Sequence, residues 1–159
     1  MKKLAIFSLV LVLAMTLALT ACNVTEPTQL GTSAFSIVLP EGYKLTEDDM
    51  SEDQVGYYFK DAQSIDFDVY QWEKNGEYTL EAEANYYAAE YDTVAVAISY
   101  NGINGWKYVS MEEYDGHTYS VINCMFEDDT YIVELCFWTI DSLDEYGAVN
   151  EILSTLKKN

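Results

Sequence analysis

Three segments, 106–113, 118–126 and 131–140, carry apolar residues at both parities of a two-residue period. A strand sends alternate side chains to opposite faces. If Val109, Met111, Ile122, Phe126, Val133, Leu135 and Phe137 take one face, then Trp106, Tyr108, Val121, Met125, Ile132, Cys136, Trp138 and Ile140 take the other. A sheet this apolar on both sides has too much apolar surface to leave wet over most of a monomer, and one helix on each face would cover it. Asp115-Gly116 and Asp128-Asp129 divide the run into a meander, and Asp-Gly suits the positive-φ positions of a tight hairpin turn.

Two helices can supply the layers. Thr79 is placed to cap a helix in which Leu80, Ala84, Tyr87, Ala88 and Tyr91 recur at helical spacing. Ser142-Leu143-Asp144-Glu145 reads as a capping box, followed by a stripe of Val149, Ile152, Leu153 and Leu156, with Lys157 and Lys158 at the negative end of the dipole. Other strands are expected at Phe35, Ile37 and Leu39, ended by Pro40-Glu41-Gly42, and at Val94, Val96 and Ile98, before the breaks of Asn101-Gly102 and Asn104-Gly105. Segments 55–60 and 65–72 flank a turn at 61–64, with Ile65, Phe67 and Val69 on one face and Asp66, Asp68 and Tyr70 on the other. The pattern predicts an α+β fold: a mostly antiparallel sheet with one helix on each face, an α/β/α sandwich. The alternative, both helices on one side, would leave an aromatic face open as a binding surface.

The N-terminus has its own logic. Lys2 and Lys3 precede an apolar run from Leu4 to Leu19, and Leu19-Thr20-Ala21-Cys22 closes it, the charged, apolar and small-residue order of an export signal. The run is short against the roughly 20 residues of a membrane span. The tetrapeptide resembles the lipobox of bacterial lipoproteins, which implies cleavage after Ala21, lipid on Cys22 and anchoring to a membrane on its extracytoplasmic side. An ordinary secretory signal or an uncleaved anchor are the alternatives. Segment 23–33 has Thr, Pro and Gly without an apolar period. The expected organisation is a signal peptide at 1–21, the lipidated Cys22 with a flexible tether over 22–33, and a single globular domain over 34–159.

Eight basic residues, all Lys, face 27 acids, for a formal charge of −19. That field repels phosphate backbones, and with no Arg there is no planar fork for bidentate phosphate contacts, which excludes nucleic acid as a partner. The order of hairpin, helix, meander and C-terminal helix, with FSIVLPEGY at its start and NEILSTLK at its end, resembles the PsbP-like superfamily. Members include the extrinsic photosystem II proteins, a eukaryotic Ran-binding import factor and many small bacterial lipoproteins. The resemblance implies accessory, protein-binding work rather than catalysis and assigns no functional residue.

Catalytic constellations are hard to assemble. Centring the last hairpin on Asp128-Asp129 pairs Cys124 with Val133 and Cys136 with Val121, so the two thiols point to opposite faces and stay free, although export alone would favour a disulfide. Glu134 is expected to point away from the core. His117 lies about 23 Å from Cys124 along one strand at ~3.3 Å per residue, far beyond the reach of a dyad. The acidic runs at 47–53 and 127–129 lack the ligand spacing and central Gly of a calcium loop, so neither a metal nor an organic cofactor is expected. Tyr70 and Trp72 share a parity with Asp66 and Asp68, next to the loop Lys74-Asn75-Gly76-Glu77. Aromatic rings ringed by acids have the composition of a contact surface, and these four residues are the candidate ligand-binding set for a protein partner. The rival expectation is a glycan-active hydrolase working through a carboxylate pair on an aromatic platform.

Overall fold

The computed structural model describes residues 26–46, 51–59, 65–139 and 145–159. The signal segment with Cys22, the acids at 47–50, the 61–64 turn, Ile140 and the Ser142 capping box lie outside the described residues. In chain order the elements are β1 (Thr28–Gln29), β2 (Phe35–Ile37), β3 (Lys44–Thr46), β4 (Gln54–Phe59), β5 (Asp66–Glu73), α1 (Leu80–Glu90), β6 (Val96–Tyr100), β7 (Ile103–Tyr114), β8 (His117–Glu127), β9 (Tyr131–Thr139), α2 (Glu145–Leu153) and β10 (Lys157–Lys158). The larger sheet runs β3-β4-β5-β9-β8-β7-β6, and every neighbouring pair in it is antiparallel. A small sheet, β1-β2-β10, is also antiparallel.

Local chemistry sets the hairpins. Asp115 (φ 48°) and Gly116 (φ 75°) form a two-residue turn that pairs Tyr114 with His117. Asn101 (φ 52°) and Gly102 (φ 80°) do the same between Tyr100 and Ile103. The second Asn/Gly break, Asn104-Gly105, is no turn but part of β7. Gly105 is required there because a Cβ would collide with the Met125 carbonyl oxygen and the Phe126 ring.

The β8–β9 register differs from the expected one by two residues. Cys124 pairs with Leu135, and Cys136 with Asn123. Asp128 is the cause: its Oδ1 accepts from the Thr130 and Tyr131 amides, both at 2.7 Å, and its own amide donates to the Tyr131 carbonyl at 3.0 Å. The turn therefore closes on Asp129-Thr130. A shift of two keeps every side chain on its face, so the thiols still point apart, and both are free and buried.

Each sheet face carries a core. On one, Phe67, Ile122, Phe126, Leu135 and Phe137 pack with Val149, Ile152, Leu153 and Leu156 around α2, and with Phe35 and Ile37 of the small sheet. On the other, Leu80, Ala84 and Ala88 of α1 meet Tyr108, Met125 and Ile132. The small alanines let α1 approach, and the Thr79 hydroxyl caps it by accepting from the Ala82 amide at 3.2 Å. The protein is thus a mostly antiparallel sheet with one helix on each face, as expected.

Four local readings change. Part of the segment read as tether belongs to the fold: Thr28–Gln29 is a strand and Leu30 is fully buried, because β2 offers it a pairing edge. Lys157 and Lys158 do not end a helix but form β10 against β2. The chain turns back there because Asn101 donates to the Ser154 and Leu156 carbonyls and the Val38 amide donates to the Thr155 hydroxyl. Met111, 60% exposed, stays out of the core, since it sits near the tip of the β7–β8 hairpin. Glu134 leaves the α2 side as expected but is only 9% exposed, because α1 covers the face to which it points.

Candidate functional site

The α1 face of the sheet is polar as well as aromatic. Parity brings Tyr70 and Trp72 of β5, Tyr108 and Glu112 of β7, and Glu134, Cys136 and Trp138 of β9 to that side. Leu80, Ala84 and Ala88 seat the helix on part of it. Beside the helix a pocket of about 550 Å³ opens, lined from the sheet by these residues and from the helix by Glu83, Tyr87, Glu90 and Tyr91. A second recess of about 270 Å³ continues past Trp138 between Tyr57, Asp66, Asp68, Tyr114 and Tyr119.

The rings form walls. Trp72 meets Tyr87 edge-on at 6.3 Å between centroids, Tyr91 stacks on Tyr108 at 6.4 Å, and Trp138 meets Tyr119 edge-on at 5.7 Å. The carboxylates are held by neutral donors. The Tyr108 hydroxyl donates to Glu134 Oε1 at 2.7 Å, Trp72 Nε1 to Glu83 Oε1 at 2.9 Å, and the Tyr91 hydroxyl to Glu112. Asp68 receives Gln54 Nε2 and Trp138 Nε1, each at 2.6 Å, while Tyr57 donates to Asp66 Oδ2 at 2.8 Å.

Burial dominates the electrostatics. It lifts the Glu134 carboxyl to about 7, with the Glu83 charge adding to the rise and the Tyr108 and Cys136 hydrogen bonds opposing it. Burial also raises Asp68, against its two hydrogen bonds and with the Asp66 charge. The Tyr91 hydroxyl moves up to about 12 through burial, the Glu112 hydrogen bond and nearby carboxylates. The phenols of Tyr70 and Tyr108 rise for the same first reason, and so does the Cys136 thiol.

The four sequence candidates divide between the two recesses. Tyr70 and Trp72 line the larger, Asp66 and Asp68 the smaller. Trp72 is partly buried against α1. Asp68 is 7% exposed, with both carboxylate oxygens bonded inward. Glu134, Glu112, Tyr91, Tyr108 and Trp138 were not among the candidates. The signal for Glu134 was present, since it is the one acid on the otherwise apolar parity of Ile132, Cys136 and Trp138. Among the described residues no group of three or more His, Cys, Asp or Glu is arranged to hold a metal ion.

No family model matches the chain, nor does any curated protein. Solved structures do match its fold. Cyanobacterial PsbP from Synechocystis aligns with a TM-score of 0.61 and 10% identity, over 87% of this chain and 96% of that one. LpqN, involved in cell envelope biogenesis of Mycobacterium tuberculosis, aligns with a TM-score of 0.56 and 13% identity, over 86% of each chain. A Bacteroides thetaiotaomicron protein gives 0.58 and 16% identity over 82% of this chain. This chain spans only 49% of that protein's length. At these identities the likeness is one of fold, and the fold is PsbP-like.

Proposed function

We propose that the chain is a lipoprotein anchored through Cys22 on the extracytoplasmic side of a membrane, and that its domain is a non-catalytic binding module for another envelope protein. The observation that carries this reading is the acidic, aromatic groove that α1 leaves open on its own face of the sheet. Tyr and Trp supply large, rigid contact area at low entropic cost, and the acids select a basic or neutral surface. The fold shared with a protein involved in cell envelope biogenesis supports an envelope setting, and no helix among the described residues is long and apolar enough to cross a membrane.

The test is capture of envelope proteins from detergent extracts with the full-length chain as bait. Trp72 helps to seat α1, so the informative variant is Tyr70→Ala with the exposed Glu90→Lys. It should keep its melting temperature and lose the partner, and higher salt should slow association of the wild type. Undiminished capture by the folded variant would remove the groove as the contact surface.

A glycan-active hydrolase is the second reading, and one observation favours it: Glu134, with a near-neutral carboxyl, shares a cleft with Glu112 and Glu90. It requires hydrolysis of aryl glycosides that disappears in Glu134→Gln. Binding without turnover excludes it.

A further inference from the structure

The larger recess has a one-sided chemistry. The side chains with N–H groups that line it are Trp72, Asn123 and Trp138, and all of them are committed. Trp72 donates to Glu83, Trp138 to Asp68, and Asn123 Nδ2 to both the Ser110 hydroxyl and the Val121 carbonyl. The Tyr108 and Tyr91 hydroxyls are committed to Glu134 and Glu112. What the recess still offers a ligand is carboxylate acceptors, the hydroxyls of Tyr70, Tyr87 and Ser110, and ring faces. No Lys or His lines it among the described residues, so its negative charge has no internal partner. A buried carboxylate without a cation is costly, and an apolar residue at position 134, beside Met125 and Ile132, would stabilise the sheet.

We propose that this recess binds an organic ammonium group, with Glu134 as the counter-ion at its floor and the rings of Trp72, Tyr91 and Tyr108 as its walls. An ammonium is a cation that accepts no hydrogen bond, and a lysine's also donates, which matches what the recess offers; cation–π contacts with Trp and Tyr add to the ion pair. A sugar needs many donors as well as acceptors and finds the N–H donors already used, with three hydroxyls left to donate. A hard metal ion needs six or more oxygens at close range rather than ring faces. At about 550 Å³ the recess has the size of a small-molecule site. The inference rests on the groove being a binding surface, and the ammonium can come from a free amine or from a lysine side chain of a protein partner.

Binding should be linked to pH. The groups facing Glu134 are Glu83, Tyr87 and Glu90 of α1 and Tyr91 at its C-terminal cap, Tyr70 from β5, Tyr108 and Glu112 from β7, and Cys136 on its own strand, with Asp53 also lining the recess. The tyrosines and the thiol among them whose values are displaced move upward and stay neutral near pH 7. Burial lifts the Glu134 carboxyl to about 7, so it gains charge across neutrality, and cation affinity should rise between about pH 6 and pH 8.

The experiment titrates the full-length chain in detergent with choline chloride, with its uncharged isostere 3,3-dimethyl-1-butanol, and with an acetyl-Gly-Lys-Gly-amide peptide, by calorimetry and Trp fluorescence at fixed ionic strength. Choline or the peptide should saturate one site at least about tenfold more tightly than the alcohol. Glu134→Gln, which can still accept from Tyr108, should lose that preference and its pH dependence while staying folded. Tighter binding of the peptide than of choline identifies a partner's lysine as the source, and the reverse identifies a free amine. Failure of both choline and the peptide to bind more tightly than the alcohol, no saturation by either cation, or an unchanged pH profile in Glu134→Gln overturns the inference. The groove as a protein contact fails separately: partner capture lost in Tyr70→Ala/Glu90→Lys with no cation binding retains the groove and removes the ammonium.

Discussion

Glu134 shows how one residue can work against the fold that contains it. Its carboxyl lies about 7 in the folded protein against an ordinary value of 4.5. The folded state therefore binds the proton more tightly than the unfolded chain does. The stability this contributes is fully present below pH 4.5 and is lost as pH rises through about 7. Glu134→Gln should accordingly be more stable than wild type at pH 8, by as much as roughly 3 kcal/mol, and nearly equal to it at pH 4. Urea melts of both proteins at the two pH values check this, and parallel pH dependence would show that Glu134 keeps its charge at no cost. Asp128 illustrates the opposite environment. Burial pushes it up, but the Tyr131, Ala34 and Thr130 amides and the Lys158 charge outweigh that and hold its carboxyl below the usual range. The two thiols need no such support: Cys124 lies in the larger core, where burial lifts it to about 12, and Cys136 lies behind the groove. Such thiols are poor nucleophiles at neutral pH.

At the scale of the element, the two helices differ in what they bury. Leu80, Ala84 and Ala88 bring α1 close to the sheet while little apolar surface is buried per turn. Around α2, by contrast, Val149, Ile152, Leu153 and Leu156 are all buried among aromatic side chains. Leu153→Ala should cost about 2 to 5 kcal/mol, since it removes a fully buried side chain from a packed site; a loss below about 0.5 kcal/mol in denaturant melts would place α2 outside the core. The helix stripe and the strand parities were legible because both follow from a fixed local period. The β8–β9 register was not, because it depends on which residues the Asp128 carboxylate binds, including the distant Ala34 amide at 2.7 Å. β1 and β10 were equally hidden, as two-residue strands form only where β2 supplies an edge.

For the molecule as a whole, charge and anchoring set the working conditions. The full sequence carries a net charge of −19, so the acidic domain should stand away from anionic lipid even while a lipid on Cys22 holds it near the membrane. Cys22→Ala should abolish both the lipid and the shift to the mature mass, whereas an unlipidated N-terminus in intact-mass spectra of the wild type would end the lipoprotein reading. The residue pattern alone carried the layered architecture. Apolar residues at both parities of 106–140 require cover on two sides, and two helix signatures stand ready to provide it. It also determined which side chains share each face, since a pleat alternates whatever the register. That α1 covers part of its face and leaves a groove emerged only on packing. Where a helix lands depends on the volumes beneath it, here the contact of Ala84 and Ala88 with Tyr108, Met125 and Ile132. That landing site buries Glu134, brings Tyr91 over Tyr108 and turns scattered acids and rings into one pocket, because residues 50 positions apart share an environment only after the chain has packed.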